Sequence, residues 1–164
     1  MPSARFRIRV AQLSDADAVQ EISAEAYVPA YQAVIGSVPK PAQEDYKPRI
    51  DRGEVWILET ADGSVGVAVL EVMADCLLVY SIAVRPKHQG RGYGSALLAF
   101  GDQRAIALGL PEVRLYTNRR MVQNVRLYQR CGFSEVGTRP HPSRLGEVLV
   151  DMAKAPKPRS AICH

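Results

Sequence analysis

The chain has 164 residues, 47% of them hydrophobic and 23% charged, which excludes disordered and fibrous classes and leaves room for one domain with a real core. A net charge of +4, from 21 basic and 17 acidic residues scattered along the sequence, is too mild to make a nucleic-acid binder and suits an anionic ligand. No apolar run is long enough to span a membrane, the N-terminus lacks the apolar core of a signal peptide, and the 3 cysteines (Cys76, Cys131, Cys163) form no CxxC pair. A cytoplasmic protein without disulfides or zinc is expected.

In chain order, Phe6-Arg7-Ile8-Arg9-Val10 alternates as a half-buried strand does. Ser14 with Asp17 three residues on predicts the cap of a helix running to about Ala26. Residues 27–50 contain Pro29, Pro39, Pro41 and Pro48, so only short, broken helices are expected there. A strand over 55–60, a turn at Asp62-Gly63 and strands over 65–72 and 77–84 make a meander. A long helix from near Ser95 to Leu108, with Leu97, Gly101, Ala105 and Leu108 on one side, ends at Gly109. A strand over 113–117, a helix from about Met121 to Arg130 stopped by Gly132, and strands over 133–136 and 148–152 complete the series. Residues 1–154 read as a single domain, and 155–164, rich in proline and basic residues, as a disordered tail.

This order implies a mixed α/β layer structure, with the 77–84 and 113–117 strands parallel and joined through the long helix. Between the first of them and that helix lies Gln89-Gly90-Arg91-Gly92-Tyr93-Gly94. A glycine-rich turn opening a helix suits a phosphate. Its N–H groups lack intrahelical partners, the helix dipole adds positive charge, and glycine lets a ligand approach the backbone. The P-loop pattern GxxxxGK[ST] is absent, and GxGxxG fails because Ser95 stands where its last glycine belongs. The pattern Q/R-x-x-G-x-G/A is met by Gln89, Gly92 and Gly94.

The context makes that short pattern specific. The run from Ile82 through Leu98 closely resembles the acyl-CoA-binding motif of the GNAT superfamily of N-acetyltransferases. Downstream, Arg114-Leu115-Tyr116-Thr117-Asn118 and the stretch from Met121 to Phe133 resemble that family's next strand and its N-x-x-A-x-x-x-Y-x-x-x-G-F helix. The opening Ile8-Arg9-Val10-Ala11 with Asp15-Ala16-Asp17-Ala18-Val19 is also similar, so the resemblance covers about residues 6–153. It implies a GNAT-like acyl-CoA N-acyltransferase fold, a mostly antiparallel central sheet with one parallel strand pair and helices on both faces.

It also implies acetyl-CoA as cofactor. The pyrophosphate would lie on the amides of Gln89, Gly90, Arg91, Gly92, Tyr93, Gly94 and Ser95. The pantetheine arm would pair like an added strand with the backbone of Ile82, Ala83 and Val84. Arg85, Lys87, His88 and Arg91 flank the turn as phosphate partners or as a solvated basic loop, Arg91 ahead of Lys87. Met121, Asn124 and Tyr128 share one helix face, which by resemblance looks at the thioester. Tyr128 is the candidate general acid. A thiol pKa near ~8.5 makes the leaving group undemanding. Where the family often has Asn this chain has Met121, and Asn124 takes over as the amide contact to the cofactor.

A base is harder to find. Removing a proton from a primary amine of pKa ~10 at pH 7 costs roughly 4 kcal/mol. The positions where family members often carry a carboxylate hold Tyr80, Ser81 and Tyr116. Glu25 is the candidate base or water relay, with Tyr80 or Ser81 as other relay points and Glu71 as a further acid. For the acceptor, Tyr27 and Tyr31, four apart, could enclose an amine or plug the loop, with Tyr80 and the loop at His141 nearby in function.

The leading expectation is an enzyme moving an acetyl group from acetyl-CoA directly to a primary amine of a small molecule or peptide in a ternary complex. The other is a non-catalytic acyl-CoA-binding sensor. The expected partners are acetyl-CoA and an amine acceptor, with no metal, nucleic acid or membrane, in a monomer or homodimer.

Overall fold

The computed structural model describes residues 5–158. Its strands are β1 (Arg7–Val10), β2 (Val55–Thr60), β3 (Gly63–Val72), β4 (Leu77–Val84), β5 (Val113–Asn118), β6 (Ser134–Pro140) and β7 (Val148–Lys154). Its helices are α1 (Ala16–Val34), α2 (Lys47–Asp51), α3 (Tyr93–Ala107) and α4 (Val122–Arg130). The strands follow the order β1-β2-β3-β4-β5-β7-β6 in a 7-stranded sheet. The β4–β5 pair is parallel, as the mixed α/β reading expects. The chain divides into two units, one holding residues up to Leu70 with Ser81–Leu97, the other Glu71–Tyr80 with the residues from Leu98 onward.

In the first unit, β1 and β3 flank β2 in antiparallel register, Ile8 opposite Leu58 and Ile57 opposite Val67. The hairpin turns through Ala61 and Asp62, and Gly63, opposite Thr60, takes the positive φ of 97° that closes it. Val19 and Ile22 of α1 bury fully with Ile57, Val67, Val69 and Leu97. Gly66 lies so near this packing that a Cβ there would meet Leu97 Cδ1 at 3.2 Å.

Two expectations fail in α1. Ser14 is not its cap. The Asp15 carboxylate accepts from the Gln12 N–H at 2.8 Å and is clasped by Arg9 at 2.8 and 2.9 Å, which turns the chain through a short 3₁₀ segment before α1 begins. The helix also does not stop near Ala26 but runs through Pro29 to Val34. Proline withholds one N–H from the carbonyl four residues back. Here that residue is Glu25, and both Glu25 and Pro29 are exposed, so the ring and the freed carbonyl can face water.

In the second unit, β5 and β6 flank β7 in antiparallel register. The parallel register with β4 holds at Leu77↔Val113 and Leu78↔Arg114. Gly109 and Gly132 end α3 and α4 with positive φ. The Leu110 N–H reaches Ala105 O and the Phe133 N–H reaches Tyr128 O, both at 2.9 Å, bonds that satisfy last-turn carbonyls. Of the residues grouped on one side of α3, Leu97 and Ala105 are buried and Leu108, past the helix end, is exposed. A buried ion pair, Lys154 Nζ to Asp102 Oδ2 at 2.5 Å, ties α3 to β7, and the same ammonium stands 5.6 Å from the Phe133 ring centroid. Of the expected C-terminal tail, residues 155–158 have no regular structure, and 159–164, Cys163 included, lie outside the described residues. Among the described residues no helix is long and apolar enough to cross a membrane, and no group of His, Cys, Asp and Glu could hold a metal ion.

Candidate active site

The first unit carries the glycine turn. After β4 the chain makes a 3₁₀ turn over Pro86–His88, then Gly90 and Gly92 take φ values of 79° and 86°, and α3 opens at Tyr93. The first helical bond of α3 runs from Ala96 N–H to Gly92 O at 3.0 Å. The N–H groups of Tyr93 and Gly94 precede that bond, in the turn where a helix supplies no acceptor of its own. They lie at the positive end of the helix dipole.

Gly94 is informative because neither conformation nor packing requires glycine there. Its φ is not positive, and a Cβ would meet nothing within 4 Å. What glycine leaves there is bare backbone beside open space, which fits a bulky anion such as the pyrophosphate of acetyl-CoA. Arg91 and Lys87 are exposed beside it. The buried Nδ1 of His88 has no hydrogen-bond partner among the described residues.

Several predicted site residues act otherwise than expected. Tyr93 offers the site only its N–H, because its side chain is buried, 6.1 Å from the Phe6 ring in an edge-on arrangement. Arg85 is committed to other partners. Its Nε donates to Ser64 O at 2.9 Å, and its Nη1 holds Glu21 at 2.8 Å and Glu25 at 2.9 Å. It is therefore not a phosphate ligand, and Glu25 is a guanidinium partner rather than an uncommitted base.

Tyr27 and Tyr31 do share a helix face, with ring centroids 5.7 Å apart. The Tyr27 hydroxyl, however, does not face an acceptor alone. It donates to Ile82 O at 2.9 Å and accepts from Ile82 N–H at 3.2 Å. Gln89 likewise turns its side chain back, donating from Nε2 to Val84 O at 3.0 Å. Sequence patterns carry no signal for these two contacts, because both are long-range or made by a side chain to backbone.

Also missed was a buried hydroxyl group under the same strand. Tyr46, Ser23 and Ser81 are 1%, 0% and 3% exposed. Burial pushes the Tyr46 phenol up to about 12, against the pull of the Ser23 and Ser81 hydroxyls beside it, and the phenol donates to Pro41 O. A phenol so placed is a structural donor, not a base.

In the second unit, Tyr128 and Asn124 are half-buried on α4, and the Tyr128 ring meets Phe133 edge-on at 6.0 Å. Asn118, buried at the end of β5, shapes the approach to α4. Its Oδ1 accepts from the Arg120 N–H at 3.0 Å, and its Nδ2 donates to Glu147 at 3.1 Å. Those bonds, with Arg120 at 2.9 Å, hold the Glu147 carboxyl below its usual range. His141 Nδ1 accepts from the Ser143 N–H at 3.1 Å, which keeps it within its own loop. Tyr80 is half-buried on β4.

Known proteins resemble this chain in sequence and in fold. The acetyltransferase (GNAT) domain family matches residues 51–135. An uncharacterized N-acetyltransferase of Bacillus subtilis, YvbK, is 28% identical over 94 residues, covering 57% of this chain and 61% of that protein. The mycothiol acetyltransferase of Clavibacter michiganensis is 36% identical over 90 residues, 54% of this chain and 29% of its own length. The chain thus spans less than two thirds of each. Among solved structures, the Escherichia coli ribosomal-protein-S18-alanine N-acetyltransferase superposes with a TM-score of 0.73 at 20% identity, covering 94% of this chain and 96% of that one. The PaiA N-acetyltransferase of Thermoplasma acidophilum, in complex with coenzyme A, gives 0.76 at 17% identity, covering 92% and 99%. At such identities these two likenesses concern the fold. The domain match covers more than half of the chain, and the chain belongs to the GNAT acetyltransferase family.

Proposed function

We propose that residues 1–154 form one N-acetyltransferase domain that moves an acetyl group from acetyl-CoA directly to a primary amine of a small molecule or peptide. The observation that carries this is the glycine turn. It presents bare backbone at Gly94 and the leading amides of α3, in a member of a family of acetyltransferases. Acetyl-CoA supplies an activated thioester. The amides of residues 89–95 hold its phosphates, with the exposed Arg91 in the same turn, and the backbone of β4 at Ile82–Val84 lines the arm. Asn124 is a further contact to the arm.

Tyr128 is the proposed general acid, donating a proton to the leaving sulfur. Its support is the family motif together with its half-buried place on α4. The sensor alternative is not favoured, because the matched family and the named relatives are acetyltransferases. For the amine proton, Glu25 is not proposed as the base, since Arg85 holds it as an ion pair. Tyr27, Tyr31 and Tyr80 are the proposed acceptor-side residues.

The test is thiol release from acetyl-CoA across a panel of amines, amino acids, polyamines and peptides. At least one amine is expected to drive release, and Tyr128→Phe to lower kcat about 10²-fold while coenzyme A still binds. Tight coenzyme A binding with no turnover on any acceptor would overturn the enzymatic reading.

A further inference from the structure

The backbone edge of β4 that the proposed function gives to the cofactor arm is already hydrogen-bonded, and by this chain's own side chains. Alternate residues of a strand direct their N–H and C=O to opposite neighbours. The Arg85 N–H bonds Val65 O of β3 at 2.9 Å, so residues 81, 83 and 85 face β3, and Ile82 and Val84 present their groups to the other side. The parallel register on that side is given at Leu77 and Leu78. Beyond it, Tyr27 Oη takes both the C=O and the N–H of Ile82, and Gln89 Nε2 takes Val84 O.

One hydroxyl that donates to and accepts from a single residue does what the edge of a paired amide does. The arm of coenzyme A carries two amides and would pair by the same atoms. Both cannot use Ile82 at once. We propose that Tyr27 is an internal stand-in for the cofactor arm. Its hydroxyl covers Ile82 when the arm is absent and is displaced when the arm binds, so that Tyr27 opposes cofactor binding and is released toward the acceptor side once the donor is loaded.

The setting of Tyr27 on α1 allows such an exchange. Tyr27 is two residues before Pro29, where α1 lacks the backbone bond to Glu25 O, so the helix is weakest just where the side chain must withdraw. The preceding turns stay fixed. Ile22 and Ser23 are fully buried, and Glu21 and Glu25 are held by Arg85, itself anchored on Ser64 O. The ring of Tyr31, 5.7 Å from that of Tyr27, offers a surface to move with. The cover also keeps an open strand edge from pairing with another chain before the cofactor arrives.

This inference rests on the proposed acetyl-CoA site, and its test separates the two. Calorimetric titration of wild type and Tyr27→Phe would use coenzyme A and, in parallel, adenosine 3′,5′-bisphosphate, which has no arm. Removing the hydroxyl uncovers Ile82 in the free protein, so Tyr27→Phe is expected to bind coenzyme A about 5-fold more tightly, the scale of one net hydrogen bond. Its affinity for the bisphosphate should not change. The Ile82 amide should exchange faster with solvent in free Tyr27→Phe than in free wild type, and slowly in both once coenzyme A is bound. Failure of wild type and variant alike to bind coenzyme A would remove the site itself. Unchanged or weaker coenzyme A binding by a folded Tyr27→Phe, or an equal gain for the bisphosphate, would overturn the stand-in while leaving the site. Should Tyr27→Phe melt far below wild type, Tyr27→Trp, which also cannot bridge Ile82, and the exchange rate of Ile82 in wild type with and without coenzyme A decide between the same outcomes.

Discussion

The glycine turn and helix α1 lie in the same unit and serve the same proposed site, but they are built on opposite principles. The turn works through backbone. Its donors are the N–H groups ahead of the Ala96–Gly92 bond, and its side chains are absent, exposed or, as at Tyr93, turned into the core. Helix α1 works through side chains reaching far along the sequence. Glu21 and Glu25 reach Arg85 and Tyr27 reaches Ile82, while Asp15, just ahead of the helix, is clasped by Arg9. A site made of backbone leaves a local trace in sequence, because it needs glycine at fixed places. A site made of long-range side-chain contacts leaves none.

Within the turn itself the comparison can be sharpened by two glycines with different reasons to be glycine. Gly94→Val puts a branched side chain into the open space beside the leading amides without straining φ. Coenzyme A binding should weaken at least about 10-fold with the melting temperature held, an effect of ligand exclusion on the scale of ~1.4 kcal/mol. Gly92→Ala also meets no neighbour, but its φ of 86° is one that an L side chain resists. It should cost about 1–2 kcal/mol of folding stability, read by urea denaturation. Were Gly94→Val to bind coenzyme A normally, the turn would not be the cradle.

What could be read from sequence divides along the same line. Strand β4, the turn, α3 and α4 were legible, because alternation, glycine and the stop at Gly132 are local signals. The assignment of Tyr128 came from a motif, and its place on α4 matches the helix that motif implies. The length of α1 was not legible. Pro29 reads as a breaker, and only the exposure of Glu25 and Pro29 explains why the helix survives it. Arg85 looked like a phosphate ligand by position, yet its partners Glu21, Glu25 and Ser64 come from distant sequence. Tyr27 covering Ile82 belongs to the same class, whereas Gln89 reaching Val84 O is a local contact that escapes notice because a side chain makes it to backbone.

The side-chain anchoring of α1 also predicts a pH dependence that the turn lacks. Hydrogen bonds from Arg9 hold the Asp15 carboxyl below its usual value, and burial only partly opposes them. A carboxylate depressed in the folded state contributes stability that is complete above its unfolded pKa, near ~3.9, and is lost as pH falls through the lower folded value. With Asp15 and Arg9 side chains 16% and 27% exposed, solvent screens the pair only partly. Asp15→Asn should cost about 1 kcal/mol at pH 7 and less as the pH falls through the folded value, with urea denaturation at neutral and acid pH as the measurement. An equal loss at both would mean that Asp15 does not act by its charge.

The smallest expected effect is the most pointed for the difference between the two regions. If α1 serves by position, Glu25 is part of its attachment to Arg85, and neutralising it should leave the chemistry alone. The Arg85 guanidinium keeps Glu21 at 2.8 Å and Ser64 O at 2.9 Å when Glu25 is lost, and the Glu25 side chain is 42% exposed. Glu25→Gln should therefore shift stability by no more than about 0.5 kcal/mol. The pH profile of kcat/KM for acetyl transfer should stay where it is, because a carboxylate bonded to Arg85 serves as an anchor of the helix and not as the acceptor of the amine proton. A displaced acid limb in Glu25→Gln would instead make Glu25 the base and place chemistry, rather than anchoring, on α1.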